Sequence, residues 1–429
     1  MSEEKFDAII VGGGVAGSTA AYVLAKEGLN VLIIERGNYS GSKNVTGGRL
    51  YTHSLEKIIP GFAEEAPVER KVAKERISMM TNDSAMTVEY ASSCLGKQGH
   101  DSYVVLRGKF DRWLFGKAEE AGAMAASGIR VDELIVKDGR ISGIRCGDDE
   151  MEADVVILAD GVNSLLAENT GLKKRIIPSQ VSIGVKETYA LSSQVIEERF
   201  GLTGNEGLSW LFAGAPTDGI AGGGFLYTNM DSISIGIVVG LGHIGENNKT
   251  VTEMINAFES HPLVAPLIRD GKLVEYSGHV VPEAGLSMVP QLSGNGYLIC
   301  GDAAGLCINV GYMVRGMDLA ITSGALAAKT VIDAKNTGDY FETKLKYYDQ
   351  LLADSYVMKD LKTYKGIPDF MENPRIFNDY PKMITDIMGE MFVVDGNPSK
   401  PMHKIVKNNL KSVGFMNLIK DALKGAVSL

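Results

Sequence analysis

The sequence predicts an α/β fold in which a parallel-sheet, Rossmann-like nucleotide-binding domain is interleaved with an antiparallel-sheet domain and followed by a helical C-terminal region. Three observations predict it. An apolar run from Phe6 to Val11 meets the spaced glycines Gly12, Gly14 and Gly17, then a helix-forming stretch and a second apolar run ending in Glu35. Far along the chain another apolar run, Tyr297 to Cys300, leads into a Gly–Asp pair at 301 and 302. Between them, from about Val181 to Tyr276, short strand-like segments alternate with glycine-rich turns.

Taken in order, Phe6 to Val11 has the length and β-branched character of a buried parallel strand. Gly12 permits the tight turn, Gly14 lets a pyrophosphate approach the backbone, and Gly17 lets helix pack on strand. The helix is expected over Val15 to Lys26, with Val15 and Ala16 at its amide-bearing end and Gly28 stopping it. The second strand, Val31 to Ile34, presents Glu35 to ribose hydroxyls, with Arg36 beside it. The Gly37 to Tyr51 stretch is a loop, in which Gly47 and Gly48 beside Arg49 suit a backbone passing close to a flat ring. His53 is expected to be an ordinary loop or helix-edge histidine, with a catalytic role as the alternative.

Residues from about Lys74 to Val105 read as strands of a second sheet. Helical spacing follows, with Phe110, Trp113, Leu114 and Ala118 on one face and Arg107 just ahead, either a solvated helix-cap arginine or a pyrophosphate or flavin contact. A strand is expected over Gly128 to Val136, which contains Val131, then a hairpin turn at Asp138 and Gly139. Asp154 to Ala159 is a wholly apolar strand after its first residue, and Asp160 and Gly161 fall at its end, where cofactor crevices form. In the Gly214 to Asn229 segment, Gly222, Gly223 and Gly224 read either as a tight turn or as exposed amides beside a flat ligand. Ser232 to Leu241 is a buried strand, and a helix covers Thr252 to Phe258. After Tyr297 to Cys300, Asp302 is placed to bond a polyol, and a helix starting near Val314, with Gly316 and Met317 in its first turn, aims its positive end at a ring carbonyl.

The remainder, from about Tyr340, is helix-forming, with breaks at prolines 368, 374, 381, 398 and 401. From Lys400 onward six lysines stand against the single acid Asp421. Phe415, Leu418, Ile419, Ala422, Leu423 and Ala426 make an apolar helical stripe there, suited to packing on protein or to lying in a lipid interface.

The 429 residues are 45% hydrophobic and 22% charged, an ordinary globular composition, and the net charge of −10 argues against nucleic acid as a partner. No stretch reaches eighteen apolar residues, and the first strand is entered without a signal-peptide pattern. A cytoplasmic location, or peripheral attachment to the cytoplasmic side of a membrane, is expected. Cys94, Cys146, Cys300 and Cys307 show no CxxC spacing, so neither a metal site nor an iron–sulfur cluster is expected.

With these segments placed, VGGGVAG, KNVTGGRLY, LRGKFDRWL, LADGVNS, GGGFLYTN, HPLVAPLIRDGK and GDAAGLC carry a resemblance over nearly the whole chain. The sequence resembles the FAD-dependent electron-transfer-flavoprotein:quinone oxidoreductases, and within them the FixC (EtfC) type. The resemblance implies an FAD domain of the glutathione-reductase/p-hydroxybenzoate-hydroxylase type over 1–73, 104–178 and 278–338. It implies a quinone-side sheet over 74–103 and 179–277, and a helical region over 339–429. FAD would be held by Gly12, Gly14, Val15, Ala16, Gly17, Glu35, Arg36, Gly47, Gly48, Arg107, Val131, Asp160, Gly161, Asp302, Gly316 and Met317. A quinone headgroup would sit near Gly222, Gly223 and Gly224. The implied partners are a two-subunit electron-transfer flavoprotein (FixA/FixB or EtfA/EtfB type), a ferredoxin-like protein (FixX/EtfX type) and a membrane quinone, in a complex that bifurcates electrons. No catalytic acid or base is assigned. The rival readings are a geranylgeranyl-reductase-like flavoprotein acting on prenyl double bonds, a flavin monooxygenase, and a non-catalytic binding module like the GDP-dissociation inhibitors.

Overall fold

The structure is a computed structural model that describes residues 5–43 and 48–428. Two sheets organise it. In the first, the parallel strands Tyr297–Ile299, Asp149–Leu158, Phe6–Val11, Val31–Glu35 and Met124–Ser127 lie side by side in that order. The hairpin Glu133–Lys137 and Arg140–Cys146 pairs antiparallel onto the near half of Asp149–Leu158. Buried on both faces, these strands are apolar without alternation: Ala8, Ile9, Ile10, Val155, Val156, Ile157 and Leu158 are all fully shielded.

The first helix, Val15–Lys26, has the bounds expected of it, and Glu35 closes the second strand. Against it lies Met317–Thr337, and the small residues of that helix have a specific use. A Cβ on Gly324 would sit 2.2 Å from the Ala16 carbonyl oxygen, so the two helices approach more closely than any side chain would allow.

The second sheet has nine strands in the order Lys272–Pro282, Val181–Ala190, Ser232–Gly240, Gly222–Thr228, Glu206–Gly214, Val68–Met80, Ser102–Val105 and Arg49–Tyr51, with Ala85–Ala91 paired to Val68–Met80. One face packs on the helices Ser193–Phe200 and Val251–Glu259 through a separate core of Ile196, Phe200, Trp210, Phe258 and their neighbours. The other face turns toward the first sheet's strand ends.

Several elements differ from expectation, each for a non-local reason. The strand expected over Gly128 to Val136 forms only from Glu133: residues 128–132 are irregular, Glu133–Lys137 begins the hairpin, and the preceding Met124–Ser127 extends the parallel sheet. The turn of that hairpin falls at Asp138 and Gly139, both at positive φ, as a tight two-residue turn requires. The flavin-side helix begins at Met317 rather than near Val314, because Val314 and Arg315 pair with Ile308 and Asn309. The expected domain boundaries at 73/74, 103/104 and 277/278 fall inside the strands Val68–Met80, Ser102–Val105 and Lys272–Pro282, and Arg49–Tyr51 joins the second sheet. Prolines 368, 374 and 381 stand in the first turns of helices, where the missing amide costs nothing, so they start elements rather than break them.

The C-terminal helix, Phe415–Ser428, turns its polar side inward. Asp421, Gly425 and Ser428 are buried; Arg375 donates two bonds of 2.7 Å to the Asp421 carboxylate, and Gly425 rests on the Phe370 ring. Phe415, Met416, Leu423 and Val427 are consequently 64–88% exposed.

Candidate functional site

The strand ends of the first sheet, one face of the second and the 367–377 segment enclose a continuous cavity of about 890 Å³. That is ample for a dinucleotide and a further small molecule. At one end the turn after the first strand supplies Gly12, Gly14, Val15 and Ala16, at the positive end of the Val15–Lys26 helix. Gly12 has φ +107°, and a Cβ there would lie 2.2 Å from the Ala159 carbonyl oxygen; the turn can be made only by glycine. Gly17 does not reach the cavity. Its Cα packs under the turn, where a Cβ would meet the Gly12 oxygen at 1.9 Å. The Glu35 carboxylate accepts the Gly13 and Gly37 amides at 2.9 and 2.6 Å, which fixes it at the cavity edge with lone pairs to spare.

Arg36, Val131, Asp160, Gly161, Asp302, Gly316 and Met317 all line the same cavity. Arg107 does too, from the first position of its helix, and Asp111 one turn on holds the guanidinium through two bonds of 2.7 Å. Burial pushes Asp160 up to about 6 and also raises Asp302, although Arg107 and Lys173 oppose the latter. Lys173, unremarkable in sequence, is buried; its ammonium donates to the carbonyls of Val162 and Ala303 and so ties together the two strand ends that carry Asp160 and Asp302.

The remaining sequence-derived positions fall differently. Gly47 lies outside the described residues. Gly48 stands behind the cavity wall, where a Cβ would press into the Tyr227 ring at 2.5 Å; that ring, not the glycine, faces the interior. His53 is not a lining residue. Its Nε2 lies 3.2 Å from Asp318, which Arg315 also holds, and its ring meets Tyr356 edge-on. Gly222, Gly223 and Gly224 do line the cavity, but as a strand paired with Val239, Val238 and Ile237, not as a turn with free amides. Space explains the glycines: Cβ atoms there would meet the carbonyl oxygens of Val238 and Phe212 and the Phe258 ring at 2.1, 2.6 and 2.9 Å.

Sequence reasoning missed His279, Glu283, Asn309 and the C-terminal stretch Ile367–Phe377, all of which line the cavity. No local pattern marks them. Burial, with Arg107 and Arg36 nearby, holds His279 down to about 4, so it is a neutral ring. Beside the triple glycine, Ile77, Leu211, Ala213, Phe225 and Val238 make the chamber wall apolar, and the outer end is bordered by Tyr312, Phe370 and Phe377. Across that end His243 bonds Glu372 at 2.8 Å, linking the second sheet to the C-terminal region.

Residues 7–92 match the family model described as FAD dependent oxidoreductase, and residues 367–429 match the ETF-QO/FixC family C-terminal domain. The chain is 53% identical over its full length, and the full length of the relative, to a probable electron transfer flavoprotein-quinone oxidoreductase of Escherichia coli, YdiS. It is 54% identical, again over both full lengths, to the protein FixC of Salmonella typhi. The chain belongs to the ETF-QO/FixC family. Identity remains 41% to FixC of Bradyrhizobium diazoefficiens, with 99% of both chains covered. Among solved structures, a geranylgeranyl bacteriochlorophyll reductase-like protein of Thermoplasma acidophilum superposes with a TM-score of 0.73, covering 96% of this chain and 98% of its own, at 22% identity, which shows the shared fold. The protein is thus an FAD-dependent oxidoreductase with an α/β flavoprotein fold. The cradle fits that cofactor: a glycine turn without room for a Cβ, a carboxylate fixed by amides, and arginines lining the same cavity.

Proposed function

We propose that the protein passes electrons from a two-subunit electron-transfer flavoprotein, of the FixA/FixB or EtfA/EtfB type, to a membrane quinone. It does so in a complex that also holds a ferredoxin-like protein of the FixX/EtfX type and that bifurcates electrons. The observation that carries this reading is the continuity of the cavity from the glycine cradle to the apolar chamber. A flavin held at the cradle and a quinone ring in the chamber would share one water-poor space. The full-length identity to FixC proteins favours this acceptor over a prenyl double bond.

Within this reading Glu35 and Val131 would hold the adenosine ribose, Gly12, Gly14, Val15 and Arg107 would hold the diphosphate, and Asp160 and Asp302 would line the ribityl chain. Gly316 and Met317 present the positive end of the long helix to the ring system. When bound, FAD supplies the redox chemistry, exchanging electrons in pairs or singly. The chain's part is to position the ring, exclude water and offer the quinone a slot along Gly222, Gly223 and Gly224, walled by Phe225 and Tyr227. Among the described residues no helix is long and apolar enough to cross a membrane. Quinone access is therefore assigned to a peripheral contact on the cytoplasmic side, through the outward apolar stripe of Phe415–Ser428.

Two half-reactions test the proposal. Purified with its co-expressed partners, the protein is expected to have its flavin reduced by the electron-transfer flavoprotein and reoxidised by a short-chain quinone, with iron and sulfide following the ferredoxin-like subunit. Flavin that reacts with oxygen to hydroxylate a substrate and ignores quinone would overturn it.

A further inference from the structure

Among the described residues six carboxyl groups line the cavity: Glu35, Asp132, Asp160, Glu283, Asp302 and Glu372. Five of them have a cationic side chain or backbone amides as partners. Glu35 accepts two backbone amides, Asp132 pairs with Arg130, Asp160 faces Lys173 and Arg36, Asp302 faces Arg107 and Lys173, and Glu372 meets His243. Glu283 differs. Its side-chain partners are the neutral Asn309 amide, at 3.4 Å, and the Ser182 hydroxyl, and among the described residues no cation pairs with it. It follows Pro282 at the end of a strand, where its own amide is bonded to the Gln180 carbonyl at 2.9 Å, which fixes the position of its backbone beside the cavity. Asn309 and Cys307 come from the loop between the Gly–Asp turn and the helix that begins at Met317. The Cys307 thiol is pushed well up by burial and by Glu283 itself, and so stays neutral.

We propose that Glu283 is a redox-linked proton site, taking up one proton from solvent when the flavin in this cavity is reduced and releasing it on reoxidation. The inference rests on FAD occupying the cavity and not on which acceptor reoxidises it. No bond to the flavin is formed: the carboxylate gains a proton, the electrons come from the donor flavoprotein, and charge added nearby in a medium of low dielectric raises the carboxylate's affinity for that proton. Burial already pushes Glu283 up to about 7, where a modest extra negative charge changes its protonation. The groups that face it from the neighbouring strand and loop, Ser182, Asn309 and Cys307, carry no charge to oppose the change.

The test uses FAD-loaded protein reduced photochemically without quinone, with proton uptake followed by a pH-indicator dye. Wild type is expected to take up a fraction of a proton more per two electrons than Glu283→Gln at a pH slightly above 7, where the oxidised form is already partly protonated, and the difference is expected to vanish near pH 5, where the carboxyl is protonated in both redox states. Equal uptake at both pH values overturns the proposal. A second measurement needs no variant: with isotope-labelled glutamate, the reduced-minus-oxidised infrared spectrum of wild type is expected to show a labelled, protonated-carboxyl band appear, and a spectrum without it overturns the proposal. Failure of the cofactor placement is read separately: full flavin occupancy in Gly14→Val removes FAD from this cavity, and the inference with it.

Discussion

At Gly17 a single methyl group decides whether the cofactor turn forms. Its absent Cβ would lie 1.9 Å from the Gly12 oxygen, so Gly17→Ala must push the first helix off its strand, at a cost of about 1–3 kcal/mol. Gly14 acts differently, because it lines the cavity and its backbone is extended, with φ −70°. Gly14→Val is therefore expected to fold but to purify with little flavin; the absorbance ratio at 450 to 280 nm is the check, and an unchanged ratio would refute the phosphate placement. The triple glycine offers no such clean probe, since a side chain on Gly223 presses on the Phe212 carbonyl oxygen. Ala213, on the adjoining strand and in the cavity wall, is the better position. Ala213→Leu is expected to slow quinone reduction about tenfold, a barrier change of about 1.4 kcal/mol, while flavin reduction by the donor is unchanged; equal losses in both half-reactions would count against a quinone in that chamber.

The elements of the cofactor cradle were legible because their information is local. Apolar run, glycine spacing, helix and terminal acid occur within one short segment, and the helix from Val15 to Lys26 forms as that pattern requires. Gly222, Gly223 and Gly224 were not, since what holds them extended is the strand Ser232–Gly240, whose pairing no local pattern specifies. Glu283 and His279 carry no motif at all; they reach the cavity only because Lys272–Pro282 takes the edge of the second sheet. The same kind of long-range tie sets the cavity's outer end. Burial disfavours the charged ring of His243, but Glu246 and Glu372, each at 2.8 Å, raise its pKa above the ordinary 6.5. A raised histidine contributes stability that is full below 6.5 and is lost as pH rises through the raised value. Because the pair is partly exposed, about 1 kcal/mol is at stake. Amide exchange across residues 367–377, corrected for intrinsic rate, is expected to quicken from pH 6 to pH 9 in wild type and to be fast at both in His243→Gln. Identical protection at the two pH values would mean the link does not hold that segment.

For the whole molecule, the question raised by the proposed membrane quinone is how an acidic protein of net charge −10 would reach it. The C-terminal helix gives a directional answer. Had it packed by its apolar stripe, that surface would be spent on the protein's own core. Instead the Arg375–Asp421 pair, joined by the Tyr380 hydroxyl, fixes the polar side, and Phe415, Met416, Ile419 and Leu423 face outward with Lys420 and Lys424 exposed beside them. Burial of these side chains in an interface and attraction of about 1 kcal/mol for each lysine near anionic lipid would act together. Flotation with anionic vesicles at low salt is therefore expected for wild type, to weaken with added salt as the lysine contribution is screened, and to be lost on removal of residues 412–429. Replacing Phe415, Met416 and Leu423 together by serine is expected to abolish flotation at any salt while leaving flavin content intact, because none of the three lines the cavity. Flotation unchanged by both alterations would exclude this helix as the lipid contact.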